Sequence, residues 1–386
     1  MNTLPAKQLT PKSNRRIYLG VMSGTSLDGI DIVAVSFEPD FKMLSSASYD
    51  IPSDIKDLIL ALCLPGDNEI EKMGHLDVAL AQLYAKYCNQ LIDDNTNIFS
   101  RCDVCAIGLH GQTIRHRPLN DPLHNFSLQI GDANTVAELT GITTIADFRR
   151  RDLAAGGQGA PLVPAFHQSL FSHISNDRVI VNIGGMANIT LLAKDNTQPL
   201  IGFDTGPGNV LLDAWINKCQ EKAYDLGGAW AHTGTVNKPL LKQLLTLPYF
   251  QQDYPKSTGR EQFNLSWLQQ QLSEYTGLSD VDIQCTLVEL TAITICDQVS
   301  RQAFSMAQLF VCGGGAKNSF LMERLDALLP DAAIVTSTKA LNLAPDWVEA
   351  SAFAWLAKQT LAGLNGNCMT VTGAKGERVL GAIYQP

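Results

Sequence analysis

The sequence has no excess of positive charge and no long apolar run. Its 386 residues carry 29 Lys and Arg against 38 Asp and Glu, a formal net charge of -9 at pH 7. Sequence-independent nucleic-acid binding needs a basic face, so this composition argues against such a partner. No apolar stretch approaches the roughly 18 residues of a membrane helix, and residues 1–16 lack the apolar centre of a signal peptide. We therefore expect no membrane association and a cytoplasmic location.

The cysteines do not have the pattern of a disulfide framework. There are 9 of them, scattered from Cys63 to Cys368 and mostly beside apolar residues, which indicates buried thiols in a reducing compartment. Cys102 and Cys105 form a C-x-x-C motif without a second pair or a nearby histidine at zinc spacing. A structural role is therefore favoured over a metal site for these two residues.

The order of strands and helices predicts an α/β fold with two related halves. A length of 386 residues with 45% hydrophobic residues suits two or three domains of about 100–200 residues. β-rich runs at 17–22 and 30–37 flank one glycine-rich turn, and runs at 178–183 and 188–193 flank another. A hairpin at the start of each half, followed by strand–helix units, predicts mixed sheets.

One glycine-rich segment suggests where the domains meet. Residues 154–161, which read Ala-Ala-Gly-Gly-Gln-Gly-Ala-Pro, are the best candidate for a domain junction and hinge. A strand-like tail is expected over 369–384. The predicted organisation is a polar tail over 1–16, a first domain over 17–153 with a C-terminal segment at about 368–386, and a second domain over 154–367.

Four strand-to-loop junctions combine glycine with hydroxyls, amides or an acid. Glycine lets the backbone approach a ligand closely, and consecutive amides in such turns form a concave anion site, so a polyphosphate is the obvious ligand. A single turn of this kind is as easily a plain hairpin connection, but four together favour a nucleotide site. The four are Ser23–Gly29, Gly184–Asn188, Asp204–Asn209 and Gly313–Ser319.

Two common nucleotide-binding motifs are missing. Gly313–Ser319 lacks the Gly-Lys-[Ser/Thr] ending of a Walker A motif, and no G-x-G-x-x-G follows the first strand, which disfavours a P-loop enzyme and a dinucleotide oxidoreductase. What remains is a phosphate site with one hairpin from each half and the nucleotide on the Gly313–Gly315 turn. This arrangement suits phosphoryl transfer with magnesium. The loop Lys256–Arg260 either contacts phosphate or caps the helix that begins near Asn264.

Asp204 is the best-placed candidate for a general base. It ends a predicted strand, precedes a glycine turn and stands before the next helix, where backbone amides favour anions. The alternative is a turn-forming or capping acid. Asp28 and Asp31 on the first hairpin compete for the catalytic role, and a metal-linked or turn-forming role is equally open for them.

Polar residues near two other strand ends are candidates for binding a substrate. Arg149, Arg150 and Arg151 follow a strand and could clamp a carboxylate in a bidentate manner, although a solvated basic run fits equally well. His110 and Gln112 stand in a predicted strand-end loop. A neutral contact to a sugar-like ligand and a structural role are both open for them.

Six strings of residues closely resemble the anhydro-N-acetylmuramic acid kinase family. The resemblance runs from about Tyr18 to the end of the chain, and strings of this length in the same order are highly specific. They are Tyr18–Gly29, His110–Thr113, Asp147–Pro161, Asn182–Asn188, Gly202–Asn209 and Cys312–Asn318.

The resemblance implies an architecture and a reaction. The family belongs to the sugar kinase, heat-shock ATPase and actin superfamily, whose two ribonuclease-H-like domains have mixed sheets flanked by helices and close on ATP in a central cleft. Its members use ATP and Mg²⁺ to convert 1,6-anhydro-N-acetylmuramic acid into N-acetylmuramic acid 6-phosphate in peptidoglycan recycling. Water opens the anhydro ring at the anomeric carbon while O6 takes the γ-phosphoryl group. A homodimer is also expected.

Two other functions remain open on the same fold. Another ATP-dependent sugar kinase would phosphorylate a free hydroxyl without opening a ring. A nucleotide-gated binding protein would instead couple ATP turnover to the conformation of a partner. The fold alone does not decide between them, because one fold hosts many functions.

The resemblance also implies roles for individual positions, with Asp204 as the general base that takes a proton from the attacking water. The first hairpin departs from the superfamily, because Met22 and Ser23 stand where an aspartate usually begins the turn, so the metal ligands are unassigned. The expected ATP- and phosphate-binding residues are Ser23, Gly24, Thr25, Ser26, Leu27, Asp28, Gly29, Ile30, Asp31, Gly184, Gly185, Asn188, Gly206, Gly208, Asn209, Gly313, Gly314 and Gly315. The expected substrate-binding residues are His110, Gln112, Arg149, Arg150, Asp152 and Glu349.

Overall fold

The chain leaves its first structural unit after Leu162 and returns to it at Glu349. The computed structural model describes residues 15–25, 27–118, 124–195, 198–260, 262–302, 307–329 and 334–386. These residues separate into two compact units, of which the second covers Val163–Val348. Residues 1–14 of the predicted polar tail and Ser26 of the first glycine-rich turn lie outside the described residues.

Both units combine strands with helices. The strands are β1 (Ile17–Ser23), β2 (Ile30–Ser36), β3 (Lys42–Tyr49), β4 (Val104–Arg117), β5 (Phe126–Ile130), β6 (Thr144–Ala146), β7 (Arg178–Ile183), β8 (Met186–Leu192), β9 (Ile201–Pro207), β10 (Gln308–Cys312), β11 (Ile334–Ser337) and β12 (Ala382–Tyr384). The α-helices are α1 (Ser53–Cys63), α2 (Glu69–Asp94), α3 (Ala133–Thr140), α4 (Phe148–Ala154), α5 (Val163–Phe171), α6 (Val210–Gln220), α7 (Lys238–Leu244), α8 (Leu265–Leu272), α9 (Asp280–Arg301), α10 (Ser319–Leu328), α11 (Val348–Leu361) and α12 (Met369–Thr372).

The sheet of the first unit has the strand order β12-β6-β4-β1-β2-β3, and β5 pairs with β4. β1, β2 and β3 are successive antiparallel neighbours, whereas β4 runs parallel to β1 and β6 runs parallel to β4. Residues Ile17–Val21 of the central strand β1 are all buried, as expected for an apolar strand that is covered on both faces. The predicted hairpin at the start of this half is confirmed.

The sheet of the second unit repeats this arrangement in the order β11-β10-β7-β8-β9. β7, β8 and β9 are antiparallel neighbours, and β10 and β11 extend the sheet in parallel on the other side of β7. The predicted second hairpin is therefore confirmed, and so is the fold class of mixed sheets flanked by helices. β9 is an edge strand, a position that matters for the candidate site.

Each unit has its own hydrophobic core. In the first unit, the side chains of β1, β2 and β4 pack against α2 and α3. In the second, α9 is buried along most of its length and forms the centre of the core. None of the described helices combines the length and the apolar character needed to cross a membrane.

Helix α11 lies with the first unit, whereas the sequence placed it in a second domain over 154–367. A β carbon on Gly20 would stand 1.8 Å from the backbone oxygen of Ala350, and one on Gly108 would stand 2.0 Å from that of Phe353. The helix backbone therefore lies directly on strands β1 and β4, because glycine leaves room for it. This contact is not visible in the spacing of the sequence.

The predicted hinge segment 154–161 also lies with the first unit. Gly157 N donates to the backbone oxygen of Asp152 at 2.9 Å, and Gln158 N donates to that of Thr372 at 2.8 Å. Gly159 N donates to the Asp152 carboxylate at 2.8 Å. These hydrogen bonds tie the segment to its own unit, and the division of the chain comes after Leu162.

Three local predictions differ from the structure. The string His110–Thr113 is part of β4 and not a loop, because β4 continues past it and pairs with β5. The Arg149–Arg151 run, for which the sequence indicated no helix, lies within helix α4, after the N-cap residue Asp147. The strand-like tail over 369–384 contains the short helix α12 and only the strand Ala382–Tyr384.

Candidate active site

Three of the predicted glycine turns lie together in the second unit, at the ends of β7, β9 and β10. A β carbon on Gly208 would stand 2.4 Å from the Gly184 oxygen, and one on Gly313 would stand 2.5 Å from Asn182 Oδ1. The Asn209 amide nitrogen Nδ2 donates to the Ile183 oxygen at 3.3 Å. Glycine is required at positions 208 and 313 because the neighbouring turns occupy the space of any side chain.

Some backbone amides of these turns are used inside the protein. Gly208 N donates to the Gly185 oxygen at 2.9 Å, Asn209 N to the Gly184 oxygen at 2.8 Å, and Val210 N to the Gly185 oxygen at 3.1 Å. Gly185 differs in the space around it, since a β carbon there would meet no described atom within 4 Å. The structure thus gives Gly208 and Asn209 a role in holding the turns together. Phosphate contact stays a prediction for Gly184, Gly185, Gly206, Gly208, Asn209, Gly313, Gly314 and Gly315.

Asp204 lies inside β9 and not after it, opposite Asn188 of β8. A segment of the same unit crosses beside it and makes hydrogen bonds to its backbone and its side chain. The Tyr249 hydroxyl donates to the backbone carbonyl oxygen of Asp204 at 2.7 Å, and Asp204 N donates to the backbone carbonyl oxygen of Lys256 at 3.2 Å. Thr258 N donates to Asp204 Oδ2 at 3.0 Å. A carboxylate fixed in this way is suited to accept a proton from a substrate or a water molecule.

Tyr249 is not among the site residues predicted from the sequence. The loop containing Lys256 and Thr258 was predicted either to contact phosphate or to cap a helix. The cap of helix α8 is Asn264 and not that loop, with Asn264 Oδ1 accepting from Trp267 N at 2.9 Å. No local motif marks Tyr249, because its partner Asp204 is far from it in the sequence. Burial, supported by the Asp204 charge, raises the pKa of Tyr249 above its ordinary value, so the hydroxyl remains a donor at neutral pH.

In the first unit, side chains of β4 hold the end of β1. The Ser23 hydroxyl donates to Gln112 Oε1, and Gln112 Nε2 donates to the Gly24 oxygen at 3.3 Å. His110 Nδ1 lies 3.3 Å from the backbone carbonyl oxygen of Ser23. His110 and Gln112 therefore position the first glycine-rich turn, and direct sugar contact stays a prediction for both.

Arg149 meets the other side of His110. Its Nη2 lies 2.9 Å from His110 Nε2, and its Nη1 donates to the Gly159 oxygen at 2.8 Å. Burial, assisted by the Arg149 charge, lowers the pKa of His110 to about 3. The ring is therefore neutral, with Nδ1 donating to Ser23 and Nε2 accepting from Arg149.

The Arg149 guanidinium remains charged at neutral pH. Burial lowers its pKa to about 10, and the charges of Glu349 and Asp152 act against this shift. Glu349 lies in the first turn of α11, close enough to influence the guanidinium. The structure thus brings together three predicted substrate residues, His110, Arg149 and Glu349, in the first unit.

Arg150 and Asp152 are placed differently from Arg149. Arg150 Nε pairs with Asp147 Oδ1 at 2.6 Å, and its side chain is 63% exposed. Asp152 is fully buried, and its carboxylate accepts from Asn367 Nδ2 at 2.7 Å and Thr372 Oγ1 at 2.8 Å, besides Gly159 N. These contacts give Asp152 a structural role, in which it ties α4 to the C-terminal segment.

The first glycine-rich turn contributes both backbone and side chains. Leu27 and Ile30, with exposures of 6% and 0%, belong to the core, so only their backbones are available to a ligand. Thr25 and Asp28 are exposed. Ser23 and Asp31 lie in β1 and β2, and Ser26 is outside the described residues. Phosphate contact stays a prediction for Gly24, Thr25, Asp28, Gly29 and Asp31.

The acidic groups of the residues that the structure describes do not form a metal cage. Within the described ranges, no three His, Cys, Asp or Glu side chains lie close enough together to hold a metal ion. Magnesium in nucleotide sites usually takes phosphate oxygens, waters and one or two carboxylates. The residues present therefore fit an ion that arrives with a nucleotide better than an ion held by protein ligands alone.

Comparisons with known proteins extend over almost the whole chain. Among solved structures, the activator of the 2-hydroxyisocaproyl-CoA dehydratase from Clostridium difficile with bound ADPNP covers 89% of this chain and 97% of that chain, at 14% identity and a TM-score of 0.42. A curated anhydro-N-acetylmuramic acid kinase from Saccharophagus degradans is 52% identical, covering 96% of this chain and 99% of the relative. One from Shewanella pealeana is 50% identical with the same coverage. The family model for anhydro-N-acetylmuramic acid kinase matches residues 16–386. This match and these relatives confirm the predicted enzyme class, a phosphotransferase, and show that the chain belongs to the anhydro-N-acetylmuramic acid kinase family.

Proposed function

We propose that the chain opens the ring of 1,6-anhydro-N-acetylmuramic acid with water and phosphorylates O6 with ATP. The products are N-acetylmuramic acid 6-phosphate and ADP. The observation that carries this proposal is the fixed carboxylate of Asp204, whose Oδ2 accepts from Thr258 N at 3.0 Å. Asp204 lies on the same strand as Gly206, which leads into the converging glycine turns. A general base close to a phosphate site is what a hydrolysis coupled to phosphoryl transfer requires.

In the proposed reaction, Asp204 takes a proton from the attacking water. The water oxygen forms a bond to the anomeric carbon, and the bond from that carbon to O6 breaks. O6 then forms a bond to the γ-phosphorus of ATP, and ADP leaves with the electron pair of the broken phosphoanhydride bond. Neither step needs an oxidant or a reductant, because the carbon and phosphorus atoms keep their oxidation states.

The glycine turns support the nucleotide part of the proposal. We assign the turn at Gly313–Gly315 to the adenosine side and the turns at Ser23–Gly29 and Gly184–Asn188 to the phosphates. Bound magnesium neutralises charge on the phosphates during transfer. Asp28, an exposed carboxylate of the first turn, is the residue proposed to reach that ion directly or through water.

Arg149 supports the sugar part of the proposal. A guanidinium has five N–H donors and pairs with carboxylates in a bidentate manner. The contacts of Arg149 to His110 and Gly159 use three of these donors. We propose that the remaining N–H groups bind the lactyl carboxylate of the substrate, with Glu349 beside the guanidinium.

The cellular role follows from this substrate. A kinase for an anhydro-muramic acid acts on fragments released from the cell wall, which places the chain in peptidoglycan recycling. We propose that it works in the cytoplasm as a homodimer, on small molecules and without a nucleic-acid or membrane partner.

An oxygen-labelling experiment tests the ring-opening step. The purified protein is incubated with anhydro-N-acetylmuramic acid, Mg-ATP and ¹⁸O water, and the 6-phosphate product is analysed by mass spectrometry as soon as it forms. We expect one ¹⁸O atom at the anomeric hydroxyl, beyond the slow exchange measured with authentic product. A phosphorylated product without the label would indicate a kinase of another hydroxyl, and ATP hydrolysis without a sugar product would indicate a nucleotide-gated protein.

Asp204→Asn tests the general base. The amide keeps the shape of the side chain, so we expect nucleotide binding to persist while turnover falls by about 10²–10⁴-fold, the usual contribution of acid–base catalysis. Fluorescence titration with ADP checks the fold and the nucleotide site. A variant with nearly normal turnover would contradict the role of Asp204.

A further inference from the structure

The backbone around Asp204 is not held by the sheet alone. β9 is the edge strand of its sheet, and its pairing with β8 shifts register between Ala187 and Asn188, which face Gly206 and Asp204. Thr205 is therefore an extra residue in β9, as in a β-bulge. A bulge on an edge strand leaves backbone groups that need partners outside the ladder, and Asp204 is at this place.

The partners come from the segment Tyr249–Thr258, which we call the bracket. Three of its residues make hydrogen bonds to Asp204, through the Tyr249 hydroxyl at 2.7 Å, the Lys256 oxygen at 3.2 Å and the Thr258 amide at 3.0 Å. The first two hold the backbone of Asp204, and the third holds its carboxylate. The bracket therefore fixes both the backbone position of Asp204 and the orientation of its carboxylate.

The bracket is anchored to the long buried helix α9. Gln298 Nε2 donates to the Phe250 oxygen at 3.1 Å, and Arg301 Nη1 donates to the same oxygen at 3.4 Å. Arg301 is held in turn by Asp297 at 2.8 Å. These contacts connect the Phe250 end of the bracket to the core of the second unit.

The Tyr249 ring is enclosed by neighbouring side chains. It is 3% exposed and meets the rings of Phe250 and Phe263 edge-on, each at a centroid distance of 6.0 Å. The Lys256 ammonium lies 4.9 Å from the centroid of the Tyr249 ring and donates to the backbone carbonyl oxygen of Tyr249 at 3.3 Å. Such contacts favour one ring orientation, with the hydroxyl directed at the Asp204 oxygen.

We propose that Tyr249 is a positioning residue for the general base Asp204. Its hydroxyl fixes the bulged backbone of β9, and thereby sets the position from which the carboxylate faces the water. This inference rests on the proposed function. It assigns Tyr249 no contact with substrate, so its removal acts on the rate of the proton transfer and not on ligand binding.

A double-mutant cycle tests the proposal on the full chain. Tyr249→Phe removes only the hydroxyl, and Asp204→Glu displaces the carboxylate by one methylene while leaving measurable activity. We expect Tyr249→Phe to lower kcat about 5–50-fold in the wild-type background and less than about twofold in the Asp204→Glu background, because groups that act as a unit are non-additive. KM for both substrates should stay within about twofold.

A matched control separates positioning from a general loss of stability. Tyr275→Phe removes a hydroxyl from a ring that packs against the same core and lies outside the bracket, and we expect its kcat to equal that of the wild type. An unchanged kcat in Tyr249→Phe, or an equal loss in both Asp204 backgrounds, would overturn the proposal. Full activity in Asp204→Asn would instead overturn the proposed function, so the two failures are distinguishable.

Discussion

The two units share a five-stranded arrangement but use it differently. Three antiparallel strands are extended by two parallel ones, as β6-β4-β1-β2-β3 in the first unit, whose sheet also contains β12 and β5, and as β11-β10-β7-β8-β9 in the second. The first unit carries a guanidinium, Arg149, which is held by a neutral histidine. The second carries a carboxylate, Asp204, which is held by the bracket. A shared scaffold therefore fixes where turns lie, and the residues placed on it decide the chemistry.

The opening hairpins show the same difference. In the first unit, residues 24–29 connect β1 to β2 and carry Thr25 and Asp28, and the side chains of β4 hold the start of this turn. In the second unit, only Gly184 and Gly185 connect β7 to β8, and their oxygens accept from the turn at Gly208. The first hairpin thus offers side chains to a ligand, whereas the second offers mainly backbone.

The helices that cover the sheets give the largest expected effect on stability. Helix α11 touches the glycine positions of β1 and β4, and a β carbon on Gly20 would stand 1.8 Å from the Ala350 oxygen. In the second sheet, a β carbon on Gly202 would stand 3.1 Å from a side-chain atom of Pro164. We expect Gly20→Ala to lower the free energy of unfolding by about 3 kcal/mol, at the upper end of overpacking effects, and Gly202→Ala to cost less.

Denaturant unfolding followed by circular dichroism measures both changes. Gly74→Ala is the control, because Gly74 lies within helix α2 and a β carbon there would meet no described atom within 4 Å. We expect Gly74→Ala to be neutral or to stabilise the chain by up to about 1 kcal/mol. Equal effects of Gly20→Ala and Gly202→Ala would contradict the difference between the two sheets.

Replacing Arg149 gives the next largest expected effect, a change in KM for the sugar. Its neighbour Arg150 provides the control. We expect Arg149→Met to raise KM for the anhydro-sugar about 10–100-fold, since a charge-assisted contact of about 1.5–3 kcal/mol is lost. KM for ATP should remain close to that of the wild type. Arg150→Met should change neither value by more than about twofold, because Arg150 is exposed and pairs with Asp147.

Steady-state kinetics with each substrate varied in turn measures these constants. A rise in KM for ATP, with KM for the sugar unchanged, would place Arg149 on the nucleotide and contradict its assignment. Similar effects in both arginine variants would indicate that the general charge of this helix matters more than the particular contact with His110.

The elements of the fold could be predicted largely from periodicity and turn residues. Both hairpins lie where the β-rich runs and the glycine signals place them. The position of α11 could not be predicted, because it depends on the fit of a helix backbone onto Gly20 and Gly108. A glycine inside a strand gives no indication in the sequence of which element will approach it.

The candidate site could be predicted in part for a similar reason. Asp204 and the glycine turns belong to continuous strings, so they are visible in the sequence. The contact of Tyr249 with Asp204 and the pairing of His110 with Arg149 are not visible in the sequence, because each contact joins residues that are distant in the chain. Asp152 was assigned to substrate by the family resemblance, and its carboxylate accepts hydrogen bonds from Gly159, Asn367 and Thr372. These partners are distant in the sequence or lie in another element, so its structural role was not visible there.

Acid stability provides the smallest effect and compares one buried histidine from each unit. Burial lowers the pKa of His167 to about 3, and burial with the Arg149 charge lowers that of His110 to about 3. The unfolded chain binds protons at these positions below about pH 6.5, whereas the folded chain does not. Their contribution to stability is therefore complete above pH 6.5 and decreases as the pH falls from there towards 3.

His167→Asn isolates this effect without touching the proposed catalytic residues. Asparagine can replace the contact of His167 Nδ1 with Thr190 Oγ1, which is 2.9 Å long, but it does not titrate. Between pH 7 and pH 5, we expect the loss of unfolding free energy to be smaller in this variant by up to about 2 kcal/mol. If His167→Asn kept the full wild-type dependence, folding would not lower the pKa of His167, and this histidine would contribute nothing to the acid lability of the fold.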